Sequence, residues 1–183
     1  MAKNRISAIA TPILVLAMLF TSGILLAQKD SKDTKLIDDS RTAKDAFIKA
    51  DGLMQNLFDK SYGYVIFPNV GKGAIGVGGA AGNGIVYKGG EVVGKASMKQ
   101  VTVGFQWGGQ AYREVIFFEN QETLDRFKDN KVEFSAQASA VAATKGASGN
   151  VKYANGVMIF TQEKGGLMYE ASVGGQKFKY TPF

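Results

Sequence analysis

The sequence predicts an α+β domain: a curved, glycine-rich antiparallel β-sheet or barrel with a long N-terminal amphipathic helix and one short helix at about 121–129. Three observations carry this expectation. Apolar residues recur at three- and four-residue steps between Lys35 and Asp59, and after Gly63 mostly at every second position. Turn signals built on glycine return every ten residues or so, which suits an antiparallel meander better than alternating strand and helix units. Glycine supplies 23 of the 183 residues, about twice the average share. Several of these, such as Gly76, Gly104 and Gly108, stand inside strand-like segments, where they fit sharp curvature or close backbone approach.

The first 27 residues differ from the rest. Lys3 and Arg5 form a short positive stretch, and residues 6–27 then run 22 positions without a charge, ending in Leu25-Leu26-Ala27. This is the pattern of a secretory signal peptide cleaved after Ala27; the same length could span a bilayer as an uncleaved anchor. On either reading the domain lies outside the cytoplasm, in the periplasm or cell envelope of a bacterium. Residues 28–35, QKDSKDTK, form a polar leader, and a single domain fills 36–183.

Leu36, Ala43, Ala46, Phe47, Ala50, Leu53, Met54, Leu57 and Phe58 form an apolar stripe that predicts one helix over 35–59. Asp38 and Asp39 suit its N-terminal end and Lys60 its C-terminal end. The stripe either packs on the protein's own core or inserts into a membrane. Residues 62–67 predict a strand closed by Pro68-Asn69, and residues 74–77 and 85–88 predict strands flanking a turn-rich glycine run at 78–84. Gly89-Gly90 turns the chain into a strand at 91–99, and 101–109 alternates cleanly, with Val101, Val103, Phe105 and Trp107 on one face. A strand at 112–119 and the short helix precede a small-residue strand at 132–140. A loop at 143–150 and strands at 156–162, 167–173 and 176–180 complete the chain.

The absence of His and Cys narrows the chemistry. It removes Ser-His triads, most acid/base pairs tuned near neutrality, thiolate nucleophiles, disulfides and the usual zinc or iron ligands. The full chain carries a net charge of +6; without residues 1–27, 20 Lys+Arg stand against 16 Asp+Glu, a net +4. That balance suits an anionic surface. No dense basic run interleaved with aromatics points to nucleic acid.

Two phosphate-loop look-alikes arise from the glycine content. Gly71-Lys72-Gly73-Ala74-Ile75-Gly76 spells GxGxxG, but a dinucleotide site needs a helix next, and the glycines of 77–84 penalise one by roughly 1 kcal/mol each. The run from Gly89 to Lys95 spells GxxxxGK with Ala96 where a metal-binding hydroxyl belongs. No nucleotide, cofactor or metal is expected. For a hydrolase, carboxylate pairs and a Ser–Lys dyad of Ser97 with Lys95 or Lys99 are the available groups. Glu91, Glu114, Glu133, Glu163 and Glu170 read as exposed strand positions and rims.

The segment Tyr62-Gly63-Tyr64-Val65-Ile66-Phe67-Pro68-Asn69-Val70 is followed by Lys72-Gly73 and the Gly76 to Gly84 cluster. After it come Val103-Gly104-Phe105-Gln106-Trp107-Gly108-Gly109, the apolar run Val115 to Phe118 with Asn120, and the small-residue strand Phe134 to Ala143. In this order they resemble the SYLF domain family over roughly residues 36–175. That family includes bacterial secreted proteins and eukaryotic lipid-binding proteins of actin patches. The chain departs from it at Thr144-Lys145, where the family often has Gly-Pro.

The resemblance implies a non-enzymatic module that binds phospholipid or a membrane surface, with anionic lipid as the expected partner. Actin binding is not carried over, since no SH3 segment accompanies the domain here. Candidate head-group contacts, at turns or strand ends, are Lys72, Lys88, Lys95, Lys99, Lys145 and Lys152. Trp107, the lone Trp, is a core residue or an interfacial anchor. A structural or protein-binding module of the envelope is the alternative, and a hydrolase the third.

Overall fold

The computed structural model describes residues 31–75, 77–102, 110–132, 139–164 and 170–183. Contacts divide the chain into two units between Lys35 and Leu36. The second unit, Leu36–Phe183, begins within helix α1 (residues 31–50) and continues through α2 (Met54–Lys60). Four long strands come next: β1 (Gly63–Ile75), β2 (Val77–Lys88), β3 (Glu91–Thr102) and β4 (Gln110–Phe118). After α3 (Gln121–Lys128) come β5 (Ser139–Ala142), a 3-10 turn at Ala147–Asn150, β6 (Val157–Glu163), β7 (Glu170–Ser172) and β8 (Gln176–Pro182).

The strands form one sheet in the order β7-β5-β6-β4-β1-β2-β3-β8. Every pairing is antiparallel except β5 with β6. A parallel pair needs a crossover, and the connection through the 3-10 turn provides it. The predicted α+β class and short helix are present. The alternating face predicted at 101–109 is described only for residues 101 and 102, which end β3; its remainder with Trp107, and most of the small-residue strand, lie outside the described residues.

The predicted helix over 35–59 is divided at Asp51-Gly52-Leu53. The Asp51 carboxylate accepts from the Leu53 amide at 3.1 Å, and from the Ser148 amide at 2.8 Å and hydroxyl at 2.6 Å. Such a side chain competes with the helical ladder for backbone donors, while Gly52 weakens the helix at the same point. The broken stripe still packs inward: Ala43, Phe47, Met54 and Phe58 are buried against Tyr64, Ile66, Ile85, Val115, Phe117 and Phe160. Core packing, the first of its two predicted roles, is what the structure has.

β1 does not stop at Pro68-Asn69. The strand bulges there, its pairing with β2 shifting between Ile66 and Asn69 and its pairing with β4 between Phe67 and Val70. A bulge is where a strand accommodates a proline, which has no amide to donate. The glycine run expected to turn at 78–84 is instead extended within β2, because β2 lies against this bulge. A Cβ on Gly84 would stand 2.5 Å from the Ile66 carbonyl oxygen and 2.7 Å from Phe67 Cδ1, and one on Gly82 would stand 2.9 Å from the Asn69 oxygen. Gly89 and Gly90 do turn, with φ of +57° and +85°, closing the two-residue loop between Lys88 and Glu91.

The sheet curls strongly. β4 and β8 are four strand spacings apart in its order, about 19 Å if it were flat. Yet the Gln176 amide donates to Glu114 Oε2 at 2.9 Å, and the rings of Phe127 and Phe178 lie 5.1 Å apart. The concave side therefore closes over Val65, Phe67, Met98, Ile116, Phe118, Leu124, Phe127 and Phe178. Glu114, expected on an exposed strand position, is wholly buried on this side. It shares its face of β4 with Tyr112 and Ile116, and the Gln176 hydrogen bond compensates part of its burial. The burial of Tyr112 itself, and after it the neighbouring Glu114 charge, push the Tyr112 phenol well above its ordinary value.

Two outcomes test these contacts. Gly84→Ala should cost about 1–3 kcal/mol in urea unfolding by overpacking, whereas Gly71→Ala, which meets no atom within 4 Å, should leave the midpoint in place. Burial alone would raise the Asp51 carboxyl, but the hydrogen bonds from Ser148, Leu53 and Gly146 outweigh it and hold its pKa below 3.8. The stabilisation is therefore complete above that value and lost as pH falls through the lowered folded one. Ser148→Ala should cost about 1.5–3 kcal/mol near neutral pH, and the difference from the unmodified protein should shrink in acid.

Candidate functional site

The outer, convex face of the β3–β8 pair is the most strongly charged surface among the described strands. β8 alternates with its pleat: Gln176 and Phe178 are buried, and Lys177 and Lys179 are exposed. β3 does the same, with Ala96, Met98 and Gln100 buried, Lys99 exposed and Lys95 and Ser97 half-buried. The register sets Lys99 opposite Lys177, Ser97 opposite Lys179 and Lys95 opposite Thr181. Lys95, Lys99, Lys177 and Lys179 thus share one face of two adjacent strands. The neighbouring positions on β2 are Ala81, Asn83 and Ile85, so among the described residues no Asp or Glu side chain stands on this face of the three strands. At the same end Lys95 Nζ lies 5.8 Å from the centre of the Phe183 ring, which is 57% exposed.

Directly opposed side chains in a sheet stand about 5 Å apart at Cβ, inside the roughly 8 Å screening length at physiological salt. Lys99 and Lys177 therefore repel one another in the free protein. Lysines on an edge strand also discourage edge-to-edge pairing, which accounts for β8. That role does not account for Lys95 and Lys99, since β3 is paired on both sides.

The comparisons agree with the resemblance read in the sequence. Residues 99–180 match the family model Ysc84, described as Las17-binding protein actin regulator. The chain carries a SYLF-family domain. A protein of Aeromonas veronii named beta cell expansion factor A is 30% identical over 125 residues, 67% of this chain and 47% of that protein. The chain thus spans about half the length of that relative. The matched segment of the SYLF domain runs from Lys99 to Tyr180, within β8, so both members of the opposed lysine pair fall inside it.

Of the six predicted lysines, the SYLF fold brings together Lys95 and Lys99. Lys88 stands apart at the β2–β3 turn, with Nζ 5.1 Å from the Tyr62 ring, and its interaction with Tyr62 raises its pKa. Lys145 and Lys152 are exposed on either side of the 3-10 turn. Lys72 pairs in register with Ala80 and Gln110 on β1, and its side chain and Trp107 are outside what the structure describes. Lys177 and Lys179 were not among the candidates. Their signal was the polar–apolar alternation of 176–180, but alternation alone does not reveal that β8 pairs with β3.

Neither phosphate-loop look-alike has its required helix. Gly71 to Ile75 ends β1 and leads into a strand, and Gly89 to Lys95 is a hairpin turn entering β3. Among the described residues no group of three or more acidic, His or Cys side chains could hold a metal, and no helix is long and apolar enough to cross a membrane.

Replacing one member of the repelling pair should stabilise the fold. Lys99→Glu should raise the stability at low salt by about 0.2–1 kcal/mol, the usual size of a cross-strand charge effect. The gain should fade at high salt, as read by paired urea melts.

Proposed function

We propose that this SYLF domain is a non-enzymatic module that binds anionic phospholipid surfaces through the convex face of β3 and β8. The observation that carries the reading is Lys99 standing opposite Lys177 on a face whose strand positions, among the described residues, hold no Asp or Glu. Such an arrangement costs stability unless an anionic partner neutralises it. Lipid head groups supply that partner over an extended surface, and exposed Phe183 beside Lys95 adds an aromatic side chain suited to the interface. Export to a bacterial envelope, which Lys3, Arg5 and the uncharged stretch at 6–27 suit, would bring the domain against such lipids.

Each lysine near an anionic bilayer contributes about 1 kcal/mol. Four give about 4 kcal/mol, an affinity near millimolar, so the basic face recruits the domain and apolar contact has to strengthen the attachment. The test is co-sedimentation with vesicles of phosphatidylglycerol mixed with phosphatidylcholine, against phosphatidylcholine alone. The anionic vesicles should pellet the protein and added salt should release it. Lys99→Glu and Lys177→Glu should each weaken the binding by about 1 kcal/mol or somewhat more, as expected for removing a lysine near the surface. A protein that stays in the supernatant on every lipid, or variants that pellet like the unmodified chain, would sink the reading.

A further inference from the structure

We propose that the corner between α1 and α2 is a second bilayer contact, in which Leu53 enters the apolar layer and Lys145 and Lys152 meet the head groups around it. The proposal rests on the lipid reading above and places its missing apolar contribution away from β3 and β8.

Leu53 is 47% exposed, and with Phe183 it makes up the exposed large hydrophobic residues of the described chain. A single exposed leucine is ordinary, but its setting here is not. Its amide is fixed by Asp51, and its side chain rests beside Gly149, where an added Cβ would come within 3.1 Å of Leu53 Cδ1. Gly52, which precedes Leu53, and Gly149, which lies against it, are exposed and carry no side chain, so Leu53 projects beyond both.

The exposed charges on the 3-10 side of the corner are lysines, and the nearest exposed carboxylates on the helices, Asp45 and Asp59, stand eight and six residues from Leu53 in the chain. Residues 143–153 contain Lys145 and Lys152 and no carboxylate, and both lysines are exposed. Asp51, the one acidic residue in 46–58, is 1% exposed and turned inward onto Ser148. An apolar side chain held outward on a braced turn and flanked by exposed lysines matches an anionic interface, where cationic groups stay at head-group depth and the leucine goes below. The same Asp51 contacts that divide the helix keep the turn in shape, so little ordering is required on binding.

The chain has no Cys, which makes the test clean. Leu53→Cys labelled with an environment-sensitive nitrobenzoxadiazole dye is mixed with the vesicles used above, and the emission and the pelleted fraction are read on the same sample. Insertion predicts a blue shift and brightening on phosphatidylglycerol vesicles and none on phosphatidylcholine. In unlabelled protein Leu53→Ser should weaken partitioning by about fivefold, as expected for a leucine already half covered, with an unchanged melting temperature confirming the fold. Pelleting with the dye still in water overturns the inference, leaves the corner to a protein partner, and leaves the lipid reading standing. Failure to pellet on any vesicle overturns both.

Discussion

Where β1 bulges at Pro68-Asn69, the neighbouring strand comes so near that only glycine fits at position 84, and this close approach governs how the sheet bends. A bulge bends its strand and increases the local twist, and a partner without side chains at the contact can follow it. The resulting curl carries β8 across to β4, where Gln176 meets Glu114, and sets Phe178 against Phe67 and Phe127. One side of the sheet becomes an enclosed core. The other side is convex, covered by α1 and α2 over its central strands and left to lysines at β3 and β8.

The two surfaces proposed to meet lipid differ in what holds them. The lysine face is a consequence of strand register, and its like charges work against the fold. The α1–α2 corner is a consequence of one buried carboxylate, and its hydrogen bonds work for the fold. A site that gives up stability for recognition beside a site that is braced is a common balance in binding proteins, and it gives the two surfaces opposite signatures: neutralising Lys99 should firm the protein, and loosening Asp51 should weaken it.

Much of the architecture was legible in the sequence because it is written in local periodicity. The apolar stripe of 36–58, the strand at 112–119 and the short helix at 121–129 each involve residues near one another in the chain. What escaped was set by contacts between distant segments. The division at Asp51 depends on Ser148, a residue 97 positions away. The extension of the glycine run 78–84 depends on the bulge opposite it, since the same residues in isolation favour turns. Glu114 read as a rim carboxylate because its buried partner, Gln176, lies in the last strand. For the same reason Lys95 and Lys99 could be picked as strand-end lysines, while Lys177 and Lys179 acquire their meaning only once β8 is laid beside β3.

The placement of β8 also bears on the order in which the chain assembles. β1, β2 and β3 join through short connections and pair with their chain neighbours, which are quick to close. β3 must then wait for β8, the most distant pairing in the described sheet. Until it arrives, one side of β3 is an unpaired template open to other chains. Lys95 and Lys99 already stand on that strand during the interval, so the edge protection that β3 does not need once β8 is in place is available to it before then.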